Sequence, residues 1–131
     1  MADLDYAFLA EYATVQDGKL TAVGASYTHL IVPQLPISHL LSIAGRVRAS
    51  VGTDRIPVSI GVVAPDEQYT LQFGTELIPD DTTRPYGDKI GVLFAATVGI
   101  TLTTPGLYTV NLSIDGAQAR RLAFDVSPTA P

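Results

Sequence analysis

Thr103-Thr104-Pro105-Gly106-Leu107-Tyr108-Thr109-Val110-Asn111-Leu112-Ser113-Ile114-Asp115-Gly116, followed closely by Arg120-Arg121-Leu122-Ala123-Phe124-Asp125-Val126, reads as a complete antiparallel hairpin. Tyr108, Val110, Leu112 and Ile114 alternate with Thr109, Asn111 and Ser113, so one pleat face is apolar and the other polar. That period of two is the pattern of a half-buried strand. Leu122, Phe124 and Val126 repeat it on the return. Pro105-Gly106 punctuates the start, and Asp115-Gly116 turns the chain over, because Asp and Gly tolerate the positive φ of tight hairpin turns.

Working outward, the same grammar recurs. Tyr6 to Val15 predicts a first strand with Tyr6, Phe8 and Tyr12 on one face and Ala7, Leu9 and Ala13 on the other. Apolar residues on both faces imply a strand covered twice. Gln16-Asp17-Gly18 is a turn, and Lys19 to Tyr27 returns as the second arm of an N-terminal hairpin, with Gly24 as a candidate bulge. Pro33 and Pro36 frame a connection, since proline has no N–H to give a ladder. Leu40 to Ser50 then alternates, Leu41, Ile43 and Val47 inward and Ser42, Arg46 and Arg48 outward. Further strands are expected over Ile56 to Val63, Gln68 to Ile78 and Lys89 to Leu102, the last bent near Gly99. Pro57 points to a strand end or sheet edge. The segment Pro79 to Asp88 is the longest loop, and the tail Ser127-Pro128-Thr129-Ala130-Pro131 stops the last strand. About eight strands with frequent turn signals, no convincing helix and no internal repeat predict an all-β fold, an antiparallel immunoglobulin-like β-sandwich, with both terminal hairpins inside its core.

A chain of 131 residues predicts one domain over 1–131. The absence of cysteine excludes a disulfide framework, a thiolate nucleophile and Cys-ligated metal. Thirteen acidic against eight basic residues give a net charge of −5, which argues against nucleic acid, whose phosphates need clustered Lys and Arg. Only Arg46/Arg48 and Arg120/Arg121 lie close together. No apolar run approaches the roughly 18 residues of a membrane span, and Met1-Ala2-Asp3-Leu4-Asp5 lacks the basic flank and apolar run of a secretory signal. The chain is therefore expected in the cytoplasm, or in a virion if a phage encodes it.

Motifs for chemistry are sparse. His29 and His39 flank the proline-rich connection and are the two side chains that titrate near neutrality unaided. No Gly-x-Ser-x-Gly elbow, His-x-His or His-x-x-x-His spacing accompanies them, so ordinary hydrogen bonds at strand ends are expected. Asp80, Asp81 and Asp88 put carboxylates in the long loop, but their spacing matches no calcium loop and a solvated polar loop is expected. Asn111-Leu112-Ser113 matches a glycosylation acceptor only formally, being mid-strand. Pro128-Thr129-Ala130-Pro131 is a tetrapeptide that some viral proteins use to recruit budding machinery, and a capped strand end is the better reading. Gly18, Gly24, Gly45, Gly52, Gly61 and Gly74 are singletons at turns or inside strands, never a Gly-x-Gly-x-x-Gly before a helix, so no phosphate cradle is expected. No catalytic, metal-binding or cofactor-binding residue is assigned.

The run Leu4-Asp5-Tyr6-Ala7-Phe8-Leu9-Ala10-Glu11-Tyr12-Ala13, with Gly18-Lys19-Leu20, Val23-Gly24 and the late Pro105-Gly106-Leu107-Tyr108, resembles a family of short uncharacterised proteins from actinobacteria and their phages. That resemblance implies no activity and no functional residue. Separately, the Pro-Gly-x-Tyr start is similar to the penultimate strand of immunoglobulin-like modules, where a tyrosine ties the strand to a neighbouring loop.

Two functions follow as expectations. The first is a non-enzymatic structural or protein-interaction module, for instance a surface or decoration component of a phage particle or another bacterial assembly. The alternative is a small ligand-binding or hydrolytic domain using the 79–88 loop and a histidine, which a concave pocket holding His29, His39 or Asp81 would favour. Charged residues make up 16% of the chain where about 25% is usual. Leu93 and Ala95 opposite Val92 and Phe94, and Leu9 and Ala13 opposite Phe8 and Tyr12, put apolar groups on both faces. Association with a protein partner or with itself would cover them; the competing explanation is cover by loops or a second sheet of the same chain.

Overall fold

The decisive hairpin forms as read. In the computed structural model, which describes residues 2–129, strands β9 (Gly106–Ile114) and β10 (Ala117–Pro128) pair antiparallel from Ala117↔Ile114 to Val126↔Gly106. Asp115 and Gly116 take φ of 52° and 81°, the primed-turn geometry that matches strand twist. Tyr108, Val110, Leu112, Ile114, Phe124 and Val126 are buried, so the apolar face is the core face.

Around this hairpin stand two sheets. The first has the order β4-β10-β9-β6-β7, with β4 at His29–Val32, β6 at Ile56–Val63 and β7 at Thr70–Leu77. The second has the order β1-β5-β8, with β1 at Asp3–Ala10, β5 at Ile37–Ser50 and β8 at Lys89–Leu102. β5 and β8 pair without a break from Ile37↔Leu102 to Ser50↔Lys89. Leu41, Ile43, Val47, Val92 and Phe94 of the second sheet share one apolar core with Val58, Ile60, Val62, Val110 and Phe124 of the first. Among the described residues the only helical element is a 3-10 turn at Pro65–Glu67.

Among the described residues there are ten strands where about eight are expected, for two reasons. First, the sequence reading assigns no strand between Tyr27 and the Pro33–Pro36 connection, yet β4 pairs there in parallel with β10, Asp125↔His29 through Pro128↔Val32; four residues before a proline carry too little periodicity to be seen. Second, the expected first strand breaks at Glu11. Its N–H turns to the carbonyls of Val23 (3.0 Å) and Gly24 (3.3 Å), and β2 (Tyr12–Gln16) then pairs with β3 (Lys19–Val23) alone. The alternation runs unbroken through Ala13, so it gives no sign of the break. This N-terminal hairpin is consequently not part of the shared core, contrary to expectation. It lies on the outer face of β1-β5-β8, where Ala10, Ala13 and Ala44 are buried and Phe8, Leu20, Ala22 and Ala95 pack against them. Small side chains let the backbones approach, and Ser42 and Thr97 satisfy one another there at 3.0 Å. The chain's own hairpin thus covers that apolar face, the competing explanation for the two-faced strands.

At the far end of the core the Tyr108 hydroxyl accepts from the N–H groups of Thr103 (3.0 Å) and Thr104 (3.3 Å) and donates to the Thr104 carbonyl (3.0 Å). It ties the β8–β9 connection to the strand that follows. The Tyr108→Phe variant strands three main-chain groups next to a buried ring and is expected to lose about 1–3 kcal/mol. Urea unfolding of both proteins measures this, and an unchanged midpoint would mean that water replaces the hydroxyl at no cost.

Candidate functional site

The two histidines do not meet. His29 pairs with Asp125 on the outer face of β10, whereas His39 lies 6.3 Å from the Phe124 ring on its inner face. Successive strand residues point to opposite faces, so the sheet separates them. Tyr27 Oη lies 3.4 Å from His39 Nε2, and burial with the nearby Glu11 charge pushes the Tyr27 hydroxyl up to about 12. Burial lowers the His39 imidazole below its ordinary value of 6.5. The folded chain then resists a proton that the unfolded chain accepts, so stability is lost as pH falls from about 6.5 towards the lowered folded value. Urea midpoints across that window should fall less steeply in His39→Gln; an equal slope would assign the dependence elsewhere.

His29 acquires partners that the sequence did not connect with it. Parallel pairing of β4 with β10 places Ser127 Oγ 3.1 Å from His29 Nε2, and Asp125 Oδ2 lies 3.6 Å from His29 Nδ1. Nucleophile, base and orienting carboxylate are the residue types of acyl-transfer chemistry. The second distance is too long for a hydrogen bond. His29 and Asp125 are about half exposed, 48% and 51% for their side chains, so water screens their charges. Asp125 and Ser127, two apart on one strand face, were the signal available; the partner in β4 was not.

In the 79–88 loop, Asp80 Oδ1 accepts from the Thr82 N–H (2.8 Å) and hydroxyl (2.6 Å), bonds that hold its carboxyl below the usual range. Asp80 therefore closes a local turn of its own loop. Among the described residues no three His, Asp or Glu side chains gather where they would hold a metal ion. On the outer face of β1-β5-β8, Arg46 Nε donates to Asp5 at 2.8 Å and stacks over Tyr6, and Arg48 lies 3.5 Å from Asp3.

An opening lies elsewhere, on the flank where both sheets end. β7 ends the five-stranded sheet and β8 the three-stranded one. Phe73, Thr75 and Leu77 alternate along β7 opposite the buried Ile60, Val58 and Ile56. With Phe94 and Ala96 of β8 and Ala13 of β2 they border a cleft of about 510 Å³ whose lining includes no charged side chain. Neither histidine nor Asp81 lines it. Among the described residues the main chain of β8 from Ile90 to Ile100 pairs only with β5, and that of β7 from Thr70 to Leu77 only with β6. Two rows of hydrogen-bonding groups therefore border an uncharged groove. Sequence reading missed this groove because an edge is defined by which strand is absent beside it.

A family model described as a family of unknown function (DUF6941) matches residues 5–127. No curated protein matches the chain. Among solved structures, the alkylpurine DNA glycosylase AlkC of Pseudomonas fluorescens, bound to DNA containing an abasic site analog, is similar with a TM-score of 0.52 and 7% identity. The match covers 95% of this chain and 30% of that one. At that identity the likeness is one of fold.

Proposed function

The chain belongs to this family of unknown function over residues 5–127, and we propose that it is a non-enzymatic structural or protein-interaction module, with the flank between β7 and β8 as its interaction surface. The observation that carries this is the pairing of an uncharged cleft with two unpartnered sheet edges. Enzyme and cofactor pockets place a few convergent polar groups in an apolar cavity, and this cleft offers two threonine hydroxyls, those of Thr14 and Thr75. The engagement of Arg46 by Asp5 and Arg48 by Asp3 supports a partner other than nucleic acid. The finer fold reading, an immunoglobulin-like sandwich, draws support from the Tyr108 hydroxyl tied back to Thr104 at the start of β9. The setting proposed for it is the cytoplasm, or a virion or another bacterial assembly if a phage encodes it.

A photoactivatable residue at position 75 of the chain, expressed in its source cells, tests the reading. Polypeptide adducts are expected from position 75 and not from a control at Arg120. The second reading, hydrolysis by Ser127 with His29 and Asp125, rests on the 3.1 Å contact between serine and imidazole. Turnover of p-nitrophenyl acetate that disappears in a folded Ser127→Ala variant, without adducts from position 75, would replace the first reading by the second. The expected result is background hydrolysis, unchanged by Ser127→Ala.

A further inference from the structure

Resting on the interaction reading, we infer that the occupant of the flank cleft is an extended, uncharged polypeptide segment of a partner. It adds as a strand to the free edge of β7 and seats alternate apolar side chains between the two sheets.

Three observations select this occupant. The first is charge: the cleft lining contains no ionisable group. A charged ligand would lose its hydration there without gaining a counter-charge. On β7 the one ionisable residue, Glu76, alternates to the opposite face from Phe73, Thr75 and Leu77, and Arg55 engages it at 3.4 Å. The second is the edge itself. A lipid or other wholly apolar ligand would cover the main-chain N–H and C=O groups of β7 and leave them unsatisfied, whereas a strand supplies their complement. β7 also lacks what usually protects an edge: no proline, no lysine and no inward charge occur from Thr70 to Leu77.

The third observation chooses β7 over β8. The β2–β3 hairpin packs beside β8, while β6 is the one strand packed closely against β7. Thr70, Leu71, Gln72, Gly74, Thr75 and Glu76 are all exposed. From Phe73 to Leu77 the edge runs about 17 Å at roughly 3.4 Å per residue. A segment of about five or six residues fits that span, with every second side chain directed at the groove.

Fluorescence polarisation with the full chain tests this. The probe is an end-capped, dye-labelled hexapeptide of alternating valine and threonine; the comparators are the same peptide N-methylated at alternate amides and a dansylated fatty acid. Saturable binding of the unmodified peptide is expected, weakened at least about tenfold by N-methylation and by Thr75→Lys. Thr75 is exposed, so the lysine is compatible with the fold, and circular dichroism checks this. If Thr75→Lys fails to fold, the N-methyl comparison decides alone. Equal affinity for the N-methylated peptide, displacement of the peptide by the fatty acid, or no saturable binding up to about 1 mM would each overturn the inference. Polypeptide adducts from position 75 alongside any of those results would leave the interaction reading standing and remove the strand-addition reading alone.

Discussion

Replacing Phe124 by alanine is expected to lower the free energy of unfolding by about 4 kcal/mol, a large share of the roughly 5–15 kcal/mol that holds a domain folded. The ring is fully buried. It stacks on Tyr108 at 5.4 Å with 12° between planes and meets Tyr27 edge-on at 5.8 Å. Its neighbours are fixed by two sheets at once, so the space left by truncation does not collapse, and the lost transfer energy is joined by a cavity term. Urea unfolding followed by circular dichroism gives the difference. Leu107→Ala is the internal control: Leu107 lies in the same hairpin but is half exposed, and its loss should stay within about 0.5 kcal/mol. A Phe124→Ala cost below about 1.5 kcal/mol would mean that the core around it repacks.

Gly45→Ala is expected to cost about 3 kcal/mol or more, although it adds a single methyl group. A Cβ at this position would stand 2.2 Å from the Tyr6 carbonyl oxygen, 2.9 Å from Ala7 Cα and 3.1 Å from the Phe94 ring. The first two are main-chain atoms of β1, so relief requires the strand to lift away from β5. The β1 backbone shifts register against β5 between Leu4 and Tyr6, next to this contact. Gly99→Ala, on β8, meets only Leu40 Cδ2 at 3.9 Å and should be neutral or slightly stabilising. Thermal unfolding of the two variants separates close approach from glycine's general effect on strands. Amide exchange should show the Gly45→Ala loss first in β1; equal melting of both variants would refute the steric account.

The sequence was informative wherever structure depends on neighbours two residues apart. The core face and the turn of the β9–β10 hairpin were legible, because alternation and the positive φ of Asp115-Gly116 are local properties, while the length of β10 and its register shift between Gln118 and Arg120 were not. The inward set Leu41, Ile43 and Val47 followed in the same way. Arg46 and Arg48 were placed outward correctly, but their engagement by Asp5 and Asp3 depends on β1 lying beside β5. The tail was only partly testable, since Ala130 and Pro131 of Pro128-Thr129-Ala130-Pro131 lie outside the described residues; the strand itself runs to Pro128 and not merely up to the tail.

By itself, then, the sequence determined an all-β chain, its long strands and their core faces, because side-chain alternation is imposed by the pleat of each strand separately. Tertiary structure alone decided which strands became neighbours. It set β4 in parallel beside β10, bringing His29 to Ser127 across 98 positions. It folded β2 and β3 outside the core over Ala44, and it left β7 and β8 as the bordering free edges of a cleft. Pairing between distant strands is chosen by competition among all possible partners for one core and one set of backbone donors, and no short window of residues contains that competition.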